Sequence, residues 1–277
     1  MTCPGTYEDR LARLQDRLRS LERVAVAFSG GVDSSALLHA ARSVLGSGAV
    51  GVIADSPSLP RRELADARET AARIGAELAV ISTDEMEDEG YRANRGDRCY
   101  FCKSALFRAM EPWARSRGFR ALAFGEIQDD LLDDRPGARA AREFGVVAPL
   151  SEAGFTKEDV RRYAREAGLD VAEKPASACL ASRIPVGSRV TRAALERVER
   201  CEEIVKELGF RQVRVRDRLP RARVEVGELE LPRAEALLER IREGLLSQGY
   251  TSIEIAPYLS PARRDPVPAT DQAVAGP

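Results

Sequence analysis

A short apolar run followed at once by a glycine-rich turn is the feature that most constrains the fold of this chain. Residues 24–28 read VAVAF, and residues 29–35 read SGGVDSS. A run of five apolar residues with two valines predicts a strand buried on both faces of a parallel sheet. Glycines let the chain turn sharply and bring backbone N–H groups close to an anion, and a helix after the turn adds its partial positive charge. The sequence therefore predicts a phosphate-binding loop at the carboxyl end of a buried strand.

The same turn supplies hydroxyl donors and one carboxylate but no lysine. An ordinary P-loop NTPase carries Gly-Lys-Ser/Thr here, and its lysine holds the β- and γ-phosphates. Asp33 suits a magnesium ion at the phosphates better than the phosphates themselves. A glycine-rich turn also occurs in α/β proteins that bind no nucleotide, but the complete heptapeptide after a buried strand favours ATP and Mg²⁺. The predicted nucleotide ligands are Ser29, Gly30, Gly31, Asp33, Ser34 and Ser35, and Asp33 is also predicted to be catalytic.

Strand-like and helix-like segments alternate along the first part of the chain. Apolar runs predict strands at residues 24–28, 49–54, 77–81 and 120–124, and apolar spacing of three to four residues predicts helices at residues 7–23, from about 34, and at 61–74, 103–117 and 156–167. Repeated strand–helix units predict an α/β fold with a doubly wound parallel sheet and right-handed crossovers. We expect this domain to cover residues 1–172.

The alternation breaks at residues 173–187, which contain two prolines and no sustained periodicity, and we interpret this segment as a linker that carries Cys179. Beyond it, residues 188–259 predict a smaller α+β domain with an antiparallel sheet, assigned to substrate binding or oligomerisation. Its predicted helices lie at residues 193–208 and 233–246, and its strands at 212–215, 222–226 and 252–255. Residues 260–277 have four prolines and little apolar content, so a disordered tail is expected.

The charge and hydrophobicity of the chain indicate which classes of partner it can bind. The chain has 43 lysine and arginine residues against 44 aspartate and glutamate residues, so no overall positive charge draws it to nucleic acid. The first ten residues include acidic ones, and no later stretch approaches the ~18 uninterrupted apolar residues of a membrane span. We therefore expect a cytoplasmic protein with no nucleic-acid or membrane partner, whose five cysteines are reduced.

Three cysteines fall in segments that predict a ligand site. Cys99 and Cys102 form a CxxC pair just before a predicted helix, and Cys179 stands in the linker, whereas Cys3 and Cys201 look peripheral. The chain has only one histidine, so a closed tetrahedral zinc site is hard to complete. The grouped thiols leave three interpretations open, namely a 4Fe–4S cluster with one open iron, a zinc site, or unligated thiols.

The phosphate loop and several later motifs carry a family resemblance. SGGVDSS resembles the SGGxDS pattern of the PP-loop ATP pyrophosphatases, which cleave ATP between the α- and β-phosphates and leave AMP on the substrate. The segments RCYFCK, DDRPGARAAREFGVVAPL, KPASACLASRIPVG and VRVRDRLPRARVEVG follow in the order typical of the LarE-type ATP-dependent sulfur transferases. The likeness runs from about residue 10 to residue 255, and it implies an adenine nucleotide alpha hydrolase-like fold.

The resemblance also implies a substrate and two possible sources of sulfur. The substrate is pyridinium-3,5-biscarboxylic acid mononucleotide, whose carboxylate is adenylated and converted to a thiocarboxylate during synthesis of the nickel-pincer cofactor of lactate racemase. Either Cys179 gives up its own sulfur and each polypeptide turns over once, or Cys99, Cys102 and Cys179 hold a 4Fe–4S cluster that supplies sulfur repeatedly. We predict the cluster. We further expect a homo-oligomer that hands its product to nickel-inserting cofactor enzymes.

Alternating arginines in a predicted strand are candidate substrate ligands. Arg214 and Arg216 are two residues apart, so their side chains emerge on one face and suit a phosphate or a pair of carboxylates. Arg183, four residues after Cys179, is a third candidate, and Glu202 is a weaker one for substrate, metal or acid–base work. A solvated strand face is the alternative for the two strand arginines.

The chain departs from the family pattern at two places. Residues 125–130 read GEIQDD where the family commonly has GTNADD, so Ile127 replaces an amide, and Asp217 replaces a histidine after the Arg-Val-Arg triplet. Both departures bear on nucleotide and substrate binding.

The sequence leaves two rival functions open. One is a PP-loop enzyme with another acceptor, either a tRNA thiolase or an amide-forming synthetase, and the other is a nucleotide-sensing protein that does not turn ATP over.

Overall fold

The computed structural model describes residues 5–132, 136–174 and 178–259 of the chain. Unit 1 contains the chain up to Ser182 together with Val186–Leu195, and unit 2 contains Arg183–Pro185 and the chain from Glu196 onward. The predicted tail at residues 260–277 and Cys3 lie outside the described residues. Among the described helices, none combines the length and the apolar content that crossing a membrane requires.

Unit 1 is built on a four-stranded parallel sheet, as the strand–helix alternation predicts. The strands are β1 (Val24–Ala27), β2 (Ala49–Asp55), β3 (Glu77–Ser82) and β4 (Ala121–Phe124), in the order β3-β2-β1-β4. In the register, Val24 of β1 stands opposite Ala49 of β2 and Ala121 of β4. The chain steps outward from β1 on one side and then returns to its other side. The edge between β1 and β4 is therefore the switch point at which open α/β sheets bind ligands.

Helices cover both faces of this sheet. They are α1 (Tyr7–Leu21), α2 (Val32–Leu45), α3 (Arg61–Ile74), α4 (Glu89–Ala93), α5 (Arg98–Ser116), α6 (Pro136–Glu143), α7 (Pro149–Glu152) and α8 (Lys157–Glu166). Val26 of β1 and Leu37 of α2 belong to the core on one face, whereas Ala25 of β1 and Phe107 of α5 belong to the core on the other. Successive residues of β1 thus point into two cores, which confirms the doubly wound α/β fold.

The helix α5 begins at Arg98, five residues before the predicted helix at 103–117. The CxxC pair therefore lies within the first five residues of the helix, and its predicted position just before the helix is wrong. The N-cap residue of α5 makes no side-chain capping hydrogen bond, so capping does not explain where the helix starts. The ring of Phe101 packs directly on Gly90, and a Cβ at Gly90 would lie 2.2 Å from that ring. We therefore attribute the start of α5 to packing. Cys99 and Cys102 are three residues apart in the helix, so they share one face.

Unit 2 contains a smaller sheet of β5 (Val213–Arg218), β6 (Arg221–Val226) and β7 (Ser252–Pro257), in that order. The strands β5 and β6 pair antiparallel, but β6 and β7 pair parallel. The expected antiparallel sheet is therefore wrong for its second pairing. The helical segment between β6 and β7 explains the difference, since a helical crossover returns the chain in the same direction.

The remaining helices are α9 (Arg192–Glu207), α10 (Leu231–Ala236) and α11 (Leu238–Leu246). The single helix predicted at residues 233–246 is thus divided at Leu237, whose φ of −103° and ψ of 13° leave the helical range. Both parts bury apolar side chains in the core of unit 2, Ala234 from α10 and Ile241 from α11. Core packing therefore decides a break that apolar periodicity does not reveal.

Candidate functional site

The glycine-rich turn connects β1 to α2 at the carboxyl edge of the sheet. Gly30 has a φ of 69°, and a Cβ at this position would lie 3.1 Å from the Cβ of Ala67 in α3, so both conformation and crowding require glycine. Gly31 is the N-cap residue of α2. The hydroxyls of Ser29 and Ser34 lie 3.1 Å apart, and Ser34 donates to the carbonyl oxygen of Gly31 at 3.2 Å. These bonds hold the turn closed around the N-terminus of a helix, a position that favours anions.

The β4 end of the sheet meets this loop. A Cβ at Gly125, the residue after β4, would lie 2.9 Å from the backbone nitrogen of Ser34, so the two loops touch at the switch point. Ser35, by contrast, is fully buried within α2, and its Oγ has no hydrogen-bond partner among the described residues. The role of Ser35 as a nucleotide ligand stays a prediction, as do the roles of the other loop residues.

Asp33 meets a lysine that sequence reasoning missed. Lys157, the first residue of α8, places its Nζ 2.8 Å from both carboxylate oxygens of Asp33. The backbone N–H of Lys157 donates to Asp129 Oδ2 at 2.6 Å, which fixes the start of α8 beside the loop. A positive side chain in the first turn opposes the helix dipole, and that mismatch is the signal in the sequence that marks Lys157. Tertiary structure thus brings to the loop the lysine that its sequence lacks.

The departure at Ile127 has a structural explanation. Ile127 is 3% exposed and lies in a core of unit 1. Its N–H donates to Asp130 Oδ2 at 3.2 Å, and the neighbouring Asp129 receives the bond from α8 described above. The side chain at position 127 is therefore a packing group in this chain, and the polar contacts of the segment come from the two aspartates that follow it.

Cys179 is tied to the sheet edge by the residue that follows it. The N–H of Leu180 donates to the carbonyl oxygen of Ser58, in the loop after β2, at 2.8 Å. Cys99 and Cys102 are the second and fifth residues of α5. Among the three, Cys99 is exposed and the other two are partly buried.

The charge of Cys179 affects the ionisation of the two cysteines in the CxxC pair. The pKa of Cys102 is raised to about 12, first by burial and then by the charge of Cys179. The same two causes, in the same order, raise the pKa of Cys99. The ammonium group of Lys103 opposes both shifts, and burial lowers the pKa of Lys103 itself. The thiols thus share one electrostatic neighbourhood, although within the described residues no three cysteine, histidine or acidic side chains are arranged to enclose a metal ion.

Arg183 lies in a buried ion pair. Its Nε and Nη2 lie 2.7 and 3.1 Å from the two carboxylate oxygens of Glu202, and these side chains are 1% and 2% exposed. Glu202 Oε1 also accepts the N–H of Val215 in β5 at 3.1 Å. The pair therefore joins the Arg183 segment, α9 and β5 within unit 2. Both members are withdrawn from solvent, and their predicted binding roles remain untested.

Arg214 and Arg216 alternate with buried valines along β5 and share one face, as their spacing predicts. Arg216 donates to Glu225 at 2.7 Å. Burial, followed by the charge of Arg183, lowers the pKa of Arg214. Both arginines are partly buried, so an anion that reached this face of β5 would be bound by charge-assisted hydrogen bonds.

Two further residues singled out in the sequence have structural partners. The single histidine, His39, places its Nδ1 2.9 Å from the hydroxyl of Tyr163, and burial lowers the pKa of His39. Asp217, which stands where the family commonly has histidine, is 7% exposed and accepts hydrogen bonds from Arg197 at 2.7 Å and Tyr250 at 3.2 Å. At this position the chain therefore has a buried carboxylate that binds Arg197 and Tyr250.

Comparisons with known proteins agree with this geometry. The asparagine synthase family model matches residues 8–99, which contain the phosphate loop. The chain is 34% identical over 264 residues to the pyridinium-3,5-bisthiocarboxylic acid mononucleotide synthase of Lactiplantibacillus plantarum, with 94% of this chain and 96% of that protein covered. It is 42% identical to an uncharacterised protein of Synechocystis sp., over 79% of this chain and 82% of that protein. Argininosuccinate synthase of Haloarcula marismortui is 31% identical over 53% of this chain and 38% of that protein. Because the Lactiplantibacillus match extends over both units, the chain belongs to the family of the pyridinium-3,5-bisthiocarboxylic acid mononucleotide synthases, which are PP-loop enzymes of the LarE type.

Proposed function

We propose that this protein is an ATP-dependent sulfurtransferase that adenylates a carboxylate of pyridinium-3,5-biscarboxylic acid mononucleotide and converts it to a thiocarboxylate. The observation that carries the proposal is the gathering of the phosphate loop and the cysteine site at one edge of one sheet. The loop follows β1, and Ser58, which accepts the bond from the residue after Cys179, follows β2. The name of the Lactiplantibacillus relative supplies the acceptor.

In the first step, the loop holds the β- and γ-phosphates of ATP through backbone N–H groups and serine hydroxyls. Asp33 would hold Mg²⁺, which supplies positive charge to the phosphates. A carboxylate oxygen of the substrate attacks the α-phosphorus, the bond from that phosphorus to the bridging oxygen breaks, and pyrophosphate leaves. Lys157, whose Nζ lies 2.8 Å from Asp33 beside the loop, is proposed to stabilise the negative charge that develops on the leaving group.

Arg214 and Arg216 are proposed to bind the anionic groups of the mononucleotide. Their support is that both side chains lie on one face of β5, as their two-residue spacing requires, and that a guanidinium group can bind a phosphate or carboxylate through two hydrogen bonds. Arg183 is fully paired with Glu202 in geometry, so we assign it a positioning role, in which the pair fixes β5 through the N–H of Val215.

Cys99, Cys102 and Cys179 are proposed to hold a 4Fe–4S cluster, with Cys179 as the catalytic cysteine. Such a cluster would supply sulfur that is replaced after each turnover. The support is that the CxxC pair lies close enough to Cys179 for the charge of Cys179 to raise the pKa of Cys99 and of Cys102. Iron ligation would remove that cost, because metals bind the thiolate form. If Cys179 alone were consumed, the position of Cys99 and Cys102 close to it would have no chemical function.

The second step transfers sulfur to the activated carbon. The sulfur forms a bond to the acyl carbon, the bond between that carbon and the phosphate oxygen breaks, and AMP leaves. The thiocarboxylate is released when the bond between the sulfur and its donor breaks. We also propose a homo-oligomer and delivery of the product to a nickel-inserting enzyme of the lactate racemase cofactor route. Size-exclusion chromatography with light scattering tests the first, and co-purification with such an enzyme tests the second.

Anaerobic turnover tests the proposal as a whole. The full chain is incubated with ATP, Mg²⁺, iron, sulfide and the pyridinium mononucleotide, and the products are measured by mass spectrometry. Equal amounts of AMP, pyrophosphate and thiocarboxylate are expected. ADP and phosphate as main products would overturn the adenylation step. Protein that binds no iron, and in which Cys179 has lost the elements of hydrogen sulfide after turnover, would replace the cluster by the sacrificial route.

A further inference from the structure

The strands of unit 2 carry a row of arginines on the face turned away from its core. Alternate residues of β5 and β6, among them Val215 and Val224, pack in that core. The residues between them project from the other face, because side chains alternate along a strand. This second face carries Arg214, Arg216 and Arg218 of β5, Arg221, Arg223 and Glu225 of β6, and Glu254 of β7. The proposed mechanism uses only Arg214 and Arg216 of this set.

Two partly buried arginines stand opposite each other on this face. Arg216 is the direct partner of Arg223 in the register of β5 and β6, and their side chains are 13% and 36% exposed. Side chains directly opposite on antiparallel strands have Cβ atoms about 4.5–5.5 Å apart, and like charges there destabilise the sheet. Arg218 and Arg221 form the next such pair, but both are exposed, so water and salt screen their repulsion. The Arg216–Arg223 pair receives less of this screening.

The glutamates beside the pair satisfy its two members unequally. Arg216 Nη2 donates to Oε2 of the buried Glu225 at 2.7 Å. Arg223 Nε lies 3.9 Å from Glu254 Oε1, which is beyond hydrogen-bonding distance. That Nε is buried and has no hydrogen-bond partner among the described residues. Because buried donors in proteins are rarely left unbonded, contacts within the chain do not account for a charged side chain at position 223.

A phosphate group would complete this arrangement. Nε of Arg223 is covered, so a ligand on this face meets the outer nitrogens of the guanidinium groups. A phosphate monoester carries about −1.5 to −2 charges at pH 7 and has three acceptor oxygens. It can therefore accept hydrogen bonds from guanidinium groups on two neighbouring strands at once and cancel the repulsion between them. A carboxylate has one charge and two oxygens, which a single arginine satisfies.

We propose that Arg216 and Arg223 bind the phosphate of the pyridinium mononucleotide between them. This inference rests on the proposed function and deepens it, because it names Arg223 as the residue that makes the enzyme prefer the mononucleotide to the nucleoside without the phosphate. The spacing of residues along β5 singles out only the arginines of that strand, whereas Arg223 comes from β6. A purely structural ion pair with Glu254 is the competing role for Arg223.

Calorimetric titration of the full chain with two ligands tests this inference. The ligands are pyridinium-3,5-biscarboxylic acid mononucleotide and the nucleoside obtained by removing its phosphate. Arg223→Met keeps an apolar stem but removes the charge and the donors, so the Kd for the mononucleotide should rise about ten- to hundredfold. The Kd for the nucleoside and the Kd for ATP should be unchanged, since neither measures a contact with the phosphate of the mononucleotide.

Two further variants control for effects on folding. Arg221→Met is the matched control, because Arg221 is an exposed arginine on the same face of β6, and it should change neither Kd. Glu254→Gln alters a side chain that is 67% exposed, where substitutions leave the fold intact. It removes a negative charge beside Arg223, so the Kd for the mononucleotide should fall about two- to fivefold while the Kd for the nucleoside stays the same. This variant decides the question if Arg223→Met fails to fold.

The ratio of the two Kd values separates the possible outcomes. If Arg223→Met weakens both ligands equally or neither of them, or if Glu254→Gln leaves the Kd for the mononucleotide unchanged, Arg223 belongs to a structural ion pair and the inference is overturned. If the ratio changes as expected but the wild type makes no thiocarboxylate, the phosphate site stands and the proposed function fails. If the wild type makes thiocarboxylate and Arg223→Met keeps the wild-type ratio, the proposed function stands and this inference fails.

Discussion

Glu202→Gln is expected to destabilise unit 2 strongly. Glu202 accepts two bonds from Arg183, at 2.7 and 3.1 Å, and a third from the N–H of Val215 at 3.1 Å, in a site where the paired side chains are 1% and 2% exposed. The amide removes the counter-charge of a buried guanidinium and turns an NH₂ group toward other donors. Removing one member of a buried pair costs about 3–5 kcal/mol, because it leaves the other charge uncompensated.

Denaturant unfolding followed by far-UV circular dichroism measures this loss. The single tryptophan, Trp113, lies in α5 of unit 1, so its fluorescence follows that unit separately. Glu196→Gln is the matched control, since Glu196 is exposed on the same helix α9, and it should shift the free energy of unfolding by no more than about 0.5 kcal/mol. A loss below about 1 kcal/mol in Glu202→Gln would show that the pair is solvated in solution and that Arg183 is available to the substrate.

Five other outcomes are expected. Lys157→Met should lower the rate of pyrophosphate release about a hundredfold or more, measured by a coupled pyrophosphate assay, because it removes charge stabilisation at the leaving group, and Asp33→Ala should likewise lose most activity. Arg216→Ala should weaken binding of the pyridinium mononucleotide by about 1.5–3 kcal/mol in calorimetry while ATP binding is unchanged. In metal-free protein, Cys179→Ser should lower the pKa of Cys102 from about 12 and speed its alkylation at mildly alkaline pH, because a neighbouring negative charge is lost. Cys99→Ser should abolish iron binding and sulfur transfer, and a retained single turnover would contradict the cluster.

The sequence predicts the sheet of unit 1 well because its strands are defined locally. β1 to β4 are short apolar runs, and each is recognisable without knowledge of its neighbours. The start of α5 was not predictable in the same way, since the contact of Phe101 with Gly90 joins two turns and leaves no periodic signal. The parallel pairing of β6 with β7 was implied by the helices between them, and the prediction of an antiparallel sheet overlooked that connection.

The residues of the candidate site also differ in whether the sequence alone reveals them. Residues in contiguous motifs, such as Asp33 in SGGVDSS and Cys99 in the CxxC pair, can be found from the sequence because the chemistry needs them close together. Lys157 belongs to no such motif. A lysine in the first turn of a helix is unfavourable for the helix dipole, but its contact with Asp33, 124 positions away, exists only in the folded chain.

The strand order accounts for two chemistries operating on one substrate. Neighbouring strands lie about 5 Å apart, so the Ser58 loop after β2, to which the residue after Cys179 is bonded, begins one strand spacing from the phosphate loop after β1. Gly125, the residue after β4, approaches the phosphate loop from the other side of β1. The Cys179 segment and the predicted nucleotide loop therefore lie at the same edge of the sheet. A carboxylate adenylated at the loop therefore needs to move only about the length of a small heterocycle to reach the sulfur. The acyl-adenylate can stay at this edge of the sheet between the two steps, and it is not released into bulk water, which would hydrolyse it.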